Sequence, residues 1–215
     1  PAYVWDLLPD GDAVLAVTGA PARLLRIRHA RAETLFESEE SHLRALVRHP
    51  RRGLVVGSGE EGIVYQVERS GRARALYDSD LEEVTAFAVD PERGDLYAAV
   101  VSASKKGALD PGTWIGRVGD EKEDDSSPIK GSEVVRIRST GEVDRIWSSR
   151  NEGALGLAFD PREGRVLVVT GTGPKKRSRV YAIEARSRDR VVLLARLPPA
   201  RSEERRVGKE CPSPC

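Results

Sequence analysis

The chain predicts an all-β fold, and within that class a β-propeller of about four four-stranded blades. Three observations carry this. Strand-sized apolar segments recur behind Pro9, Pro50, Pro91 and Pro161, spaced 41, 41 and 70 residues apart. The stretches 9–19 (PDGDAVLAVTG) and 161–171 (PREGRVLVVTG) align without a gap. Within each repeat the segments are short and separated by Gly-, Pro- and Ser-bearing turns. A period near 40 residues built of short strands marks a propeller, in which no blade can bury its own two faces. A β-sandwich is the alternative, but it requires no fixed period.

The second repeat sets the pattern. Strands are expected at 43–47, 53–57, 63–67 and 73–77, with turns at 49–53, 57–62 and 69–71. Glycine and proline suit such turns, one because positive φ costs it little, the other because its φ is already set. Third strands recur at 24–27, 64–67, 134–137 and 180–183, and outer strands at 34–36, 75–77, 145–147 and 193–195. Several second strands, such as 166–169, are apolar at consecutive positions, the pattern of a strand covered on both faces. The blades are expected at about 1–38, 39–79, 80–149 and 150–200, together a partial propeller over 1–200. Residues 105–131, charged and rich in Gly, Pro and Ser, read as a flexible insertion between the second and third strands of blade three. Such loops emerge on the face where propeller ligands most often bind. Most propellers close at about six to eight blades. Four are therefore expected to be part of a larger ring, with terminal sheet faces that would drive association.

Composition bounds function weakly. Lys+Arg number 35 and Asp+Glu 34, for a formal net charge of +1. Balance of this kind argues against a nucleic-acid partner or an anionic-membrane surface. No apolar run reaches the roughly 18 residues of a transmembrane segment. The chain opens on a strand and holds no methionine, so the natural start is expected upstream and localisation is left open. Residues 201–211 resemble, codon for codon, a translated sequencing-library adapter, which makes 201–215 an expected non-native tail. Both cysteines, Cys211 and Cys215, fall in it.

Few motifs carry chemistry. Gly57, Gly59 and Gly62 fit the dinucleotide fingerprint, but a β-branched strand follows where the pyrophosphate would need a helix N-terminus. The basic run 175–179 has no interleaved aromatic residue and reads as a solvated hairpin. The acidic run 120–125 lacks the ligand alternation of a calcium loop. No cofactor and no metal site is expected. His49 occupies the turn position held elsewhere by Asp90 and Asp160. Trp5 and Trp147 read as blade-packing residues. The candidate ligand-binding residues are His42, Arg44, Glu83 and Thr85, where inner strands start near the channel mouth, with Trp114 in the insertion and Arg150 in a link on the same face. No catalytic residue stands out.

Residues 84–91 (VTAFAVDP) and 155–161 (LGLAFDP) resemble bacterial propeller repeats of the NHL, YVTN and WD-repeat-like kind. That resemblance implies blades and not an activity. Related calcium-dependent lactonases carry an Asn at the inner strand and an Asp ending the next one. Here the Asn position reads Tyr3, Arg44, Thr85 and Leu155, and the Asp position is glycine in repeats one and four. The Gly-His and Trp-Asp pair of true WD repeats is also absent, so that Trp5-Asp6 reads as coincidental, and the docking tryptophans of quinoprotein propellers are missing as well. A noncatalytic propeller binding a protein or small molecule on the insertion-bearing face is therefore expected. The alternative is a lactonase- or hydrolase-like enzyme whose catalytic residues lie in further blades.

Overall fold

A computed structural model of the chain describes residues 1–103, 129–171, 178–184 and 190–197. They form sixteen strands in four antiparallel four-stranded sheets, each a meander in sequence order, with no helix among the described residues. Blade one holds β1 (Tyr3–Asp10), β2 (Ala13–Gly19), β3 (Arg23–Arg28) and β4 (Arg31–Glu37). Blade two holds β5 (Leu43–His49), β6 (Gly53–Ser58), β7 (Ile63–Val67) and β8 (Ala73–Asp78). Blade three holds β9 (Glu83–Val89), β10 (Leu96–Ala103), β11 (Ile129–Ile137) and β12 (Val143–Ser149). Blade four holds β13 (Gly153–Asp160), β14 (Arg165–Gly171), β15 (Ser178–Glu184) and β16 (Arg190–Leu197). No helix of the described residues is long and apolar enough to cross a membrane.

Irregularities repeat along with the strands. Each inner strand bulges at one register position, leaving Trp5, Arg44, Thr85 and Leu155 as the extra residues. Each outer strand bulges too, at Leu35, Leu76, Ile146 and Leu194. Bulges twist a strand and re-aim a side chain. Eight of them at two equivalent positions show that the four sheets are one unit repeated.

Three apolar layers lie between the four sheets. Leu15, Val17 and Leu24 meet Leu43, Leu46 and Val56; Ala45, Val55 and Val64 meet Val84, Leu96 and Val100; Tyr97, Ala99 and Val134 meet Val166, Val168 and Ile183. Strand β10 feeds two layers at once: Leu96, Ala98 and Val100 face blade two, while Tyr97 and Ala99 face blade four. That is why an unbroken apolar run suits it. The run 166–169 does not meet the same expectation. Val166 and Val168 are buried, whereas Val169 is exposed, because the outer face of blade four has no neighbour among the described residues.

The register also corrects the repeat count at its start. Pro50, Pro91 and Pro161 open turns, but Pro9 lies inside β1, opposite Val14. The first hairpin turns on only two residues, Gly11 and Asp12, with Gly11 at φ 65°. Pro9 thus lies two positions earlier in its blade than Pro50, Pro91 and Pro161 do in theirs, and Trp5, not Tyr3, is the equivalent of Arg44, Thr85 and Leu155. At its other end the insertion is shorter than expected. Ile129, Lys130 and Gly131 already belong to β11, with Ile129 opposite Ala103 and Gly131 opposite Ser102. Backbone pairing sets that boundary where side-chain propensity gave no strand signal. The rest of the insertion, the basic tip at 175–177 and the tail 201–215 lie outside the described residues.

His49 performs turn chemistry. Its Nδ1 accepts the Arg51 and Arg52 amide N–H groups at 3.1 and 3.0 Å, and its Nε2–H donates to the Gly94 carbonyl at 3.0 Å. Asp90 and Asp160 accept the matching amides in blades three and four. This network needs a neutral ring, and burial holds the imidazole below its usual value of 6.5, with Arg52 and Arg51 adding to the effect. A depressed folded-state pKa means stability present above 6.5 and lost as pH falls toward the folded value. His49→Asp is expected to keep the turn and flatten that loss, read from urea midpoints between pH 8 and 5. A parent and variant with parallel profiles would contradict this role.

Candidate functional site

The first residues of β1, β5 and β9 converge where the inner strands start. Inner strands of successive blades lie side by side, so bulge residues from neighbouring sheets come within reach of one another. Trp5 stands at the centre. Tyr3 stacks on it at 5.3 Å between ring centroids and 19° between planes, and the Arg44 guanidinium lies 3.7 Å from its ring centroid. His42 meets both rings edge-on and accepts the Trp5 indole N–H on Nδ1 at 3.2 Å. The neutral ring then keeps its proton on Nε2 as a donor.

Arg44 is also paired with Glu83 of the next blade, its Nε donating to Oε1 at 2.5 Å with a second contact from a terminal nitrogen. Both side chains are largely buried, at 15% and 14% exposure. Burial pushes the Glu83 carboxyl up, and Arg44 opposes that shift. A cation over the indole, a phenol stacked on it and an imidazole bonded to its N–H together hold the ring in place.

Two glycines make the room. A Cβ on Gly19 would overlap His42 Nδ1 and come within 2.7 Å of Trp5 Nε1, and one on Gly59 would lie 2.8 Å from Arg44 Cγ. Gly19→Ala is therefore expected to displace His42 and break the indole hydrogen bond. In an NMR spectrum of labelled protein the Trp5 Nε1–H resonance should shift; an unmoved resonance would show that the close packing is not as described.

Of the residues expected at the mouth, His42, Arg44 and Glu83 are brought together. Thr85 is not part of the cluster: its hydroxyl donates to the Ala154 carbonyl at 2.7 Å, fastening blade three to blade four. Arg150 is exposed in the link between β12 and β13 and takes part in none of the contacts that build the cluster. Trp114 lies outside the described residues. Tyr3 and Trp5 were missed as site residues. The misplaced repeat start hid them, since counting from the inner-strand bulge sets Tyr3 beside His42 and Trp5 beside Arg44.

Sequence reasoning also missed three glutamates on this side of the sheets. Glu40 accepts from the Tyr65 hydroxyl at 3.1 Å, Glu133 from those of Tyr77 and Ser79 at 2.7 Å each, and Glu152 from Thr170 at 2.8 Å and Tyr181 at 3.2 Å. Arg179 pairs with Glu152 as well. Burial, reinforced by the neighbouring carboxylate, pushes Tyr65 and Tyr77 up to about 12. These contacts tie links to strands and, between Tyr77 and Glu133, β8 to β11; their separations of 25, 56 and 29 residues offer no spacing signal. Among the described residues no three His, Cys, Asp or Glu side chains form a metal-binding group.

No family model matches the chain, and no curated protein matches it significantly. Solved structures do. A chain of a nidogen/laminin complex aligns with a TM-score of 0.62 at 14% identity, covering 89% of this chain and 64% of that one. A gluconolactonase from Xanthomonas campestris aligns at 0.57 and 16%, covering 86% and 57%. A calcium-binding protein, regucalcin, from Agrobacterium tumefaciens aligns at 0.53 and 14%, covering 87% and 57%. This chain thus spans 57–64% of the length of these three. Identities this low carry the fold alone, and the fold is a β-propeller.

Proposed function

We propose that this chain is a noncatalytic propeller that binds a protein or small-molecule ligand at the inner-strand mouth formed by blades one to three. One observation carries the reading. The charged groups at the mouth are spent on one another, Arg44 on Glu83 and Trp5, and what remains presented is a fixed aromatic surface of half-exposed Tyr3 beside His42. Rigid aromatic residues with arginine are the usual anchors of recognition surfaces. The balanced charge favours such ligands over nucleic acid.

The fold likeness to a gluconolactonase supports the enzyme alternative only at the level of architecture. At the four equivalent inner-strand bulges this chain offers an indole, a guanidinium, a hydroxyl committed to a carbonyl, and Leu155. A hard cation asks instead for convergent carboxylate and carbonyl oxygens. The test has two arms. Amide and indole shifts of labelled protein are followed against a panel of small aromatic, peptide and sugar compounds, and hydrolysis of an aldonolactone is assayed with and without calcium. Ligand-induced shifts centred on Tyr3, Trp5 and Arg44 without turnover are expected. Calcium-dependent lactone turnover would overturn the reading.

A further inference from the structure

At the end of the sheets opposite the mouth, blade two gathers arginines where its neighbours carry carboxylates. The β5–β6 turn reads Arg51 and Arg52; the matching turn positions read Glu92 and Arg93 in blade three, and Arg162 and Glu163 in blade four. On the outer strand, Arg74 stands opposite Gln66, at the register position where blade three sets Asp144 opposite Arg136. The β7–β8 turn adds exposed Arg69 and Arg72 against one acidic residue, Glu68.

The partners of these arginines are neutral. Arg74 donates from Nε and a terminal nitrogen to Gln66 Oε1 at 3.1 and 2.8 Å, and Gln66 Nε2 donates to the Arg52 carbonyl at 2.8 Å. Arg52 donates from a terminal nitrogen to the Arg138 carbonyl, while its buried Nε has no hydrogen-bond partner among the described residues. Burial and the nearby Arg74 charge both disfavour the Arg52 cation, and the carboxylate that opposes them, Asp95, accepts from the Ser139 amide. Arg51 is exposed and lies along the turn of blade three, where a Cβ on Gly94 would come within 3.2 Å of its Nε. Among the described residues none of Arg51, Arg52 and Arg74 forms an ion pair, whereas Arg26 and Arg48 hold Asp10, Arg136 and Arg138 hold Asp144, and Arg165 holds Asp160.

We infer that this arginine cluster on blade two, at Arg51, Arg52 and Arg74, is a docking surface for an extended acidic segment of a partner protein. Guanidinium forks match carboxylates in geometry as well as in charge. Arg52 and Arg74 stand two strand spacings apart, about 10 Å at the backbone. That spread is too wide for a single phosphate group and within side-chain reach of carboxylates two residues apart in an extended chain, about 7 Å. A net charge of +1 provides no field to draw in a nucleic acid, so the patch acts locally. The inference is independent of the ligand reading above, which concerns the opposite end of the sheets.

The test is the binding of a synthetic peptide alternating glutamate with glycine to the isotope-labelled full chain, followed by NMR at low salt beside inorganic phosphate and a single-stranded DNA of matched charge. The expected shifts are confined to the Nε–H groups of Arg51, Arg52 and Arg74 and the Gln66 side-chain amide, with Tyr3 and Trp5 unmoved, and they fade as salt is added. Arg51→Gln/Arg74→Gln removes two exposed charges and should raise Kd about tenfold. Arg31→Gln, at an exposed position of blade one, should leave Kd unchanged. Circular dichroism establishes that each variant is folded; should the double variant fail, the place of the shifts in the parent chain and their loss with salt still decide. An absence of shifts at these groups, a Kd that the double variant leaves unchanged, or tighter binding of phosphate or DNA than of the peptide would each overturn the proposal.

Discussion

Tyr97→Ala is expected to destabilise the fold by about 4 kcal/mol, while Tyr97→Phe leaves stability unchanged or raises it. Tyr97 is fully buried between blades three and four, its ring stacked on Phe159 at 6.0 Å. It shares that layer with Ala99, Val134, Val166, Val168 and Ile183. Truncating a large aromatic residue in such a place loses transfer energy and opens a cavity that the surrounding sheets fill only in part, at about 3–5 kcal/mol. The hydroxyl is a separate matter. It finds no hydrogen-bond partner among the described residues, and burial, with Asp95 nearby, pushes its pKa up to about 12. A buried donor without a partner costs free energy, so removing it should cost none. Urea denaturation of both variants checks this. A loss above about 1.5 kcal/mol in Tyr97→Phe, the size of a net hydrogen bond, would show that the hydroxyl is satisfied.

Arg44→Met is expected to cost about 3 kcal/mol near neutral pH, with the loss shrinking on acidification. The substitution strands Glu83, largely buried, without its cation. Breaking one side of such a pair costs about 3–5 kcal/mol, whereas replacing both sides with neutral groups can be close to harmless. Glu83 already sits above the ordinary carboxyl value because of burial, and removing Arg44 takes away the influence that restrains it. For a carboxyl raised on folding, the protonated form is the one the fold favours. The contribution is then complete below the unfolded value of about 4.5 and is lost as pH rises through the folded value. The variant should therefore lose stability relative to the parent between pH 4 and 7, and Arg44→Met/Glu83→Gln should recover most of it. A pH-independent deficit would assign the effect to lost packing on Trp5 instead.

Much of the blade pattern was legible because it is carried by period and propensity. The third strands at 24–27, 64–67, 134–137 and 180–183 fall where apolar spacing placed them, and Gly57, Gly59 and Gly62 flank a turn into strand β7. Features set by register were not legible. Pro9 sits two positions early in blade one, ahead of the two-residue turn at Gly11 and Asp12, and only pairing with β2 reveals it. The start of β11 at Ile129 depends on backbone hydrogen bonds to β10, which Lys130 and Gly131 do not advertise. The mouth was half legible. His42 and Glu83 share a position counted from their prolines, but Trp5 reaches Arg44 through a bulge that adds one residue without a sequence mark. Thr85 was placed on the correct strand and at the position equivalent to Arg44, which the register shows to be a bulge; the proximity of the Ala154 carbonyl, a long-range feature, takes its hydroxyl away from the site.

Interblade nuclear Overhauser effects in labelled protein decide whether consecutive four-stranded sheets stack inner strand beside inner strand. A Cβ built on Gly57 would overlap Val84, and the Thr85 hydroxyl reaches Ala154. Stacked blades predict effects from the Gly57 α-protons to the Val84 methyls and between Thr85 and Ala154. Their absence, with effects instead joining strands of blade one to strands of blade three across a shared core, would describe a sandwich and contradict the propeller.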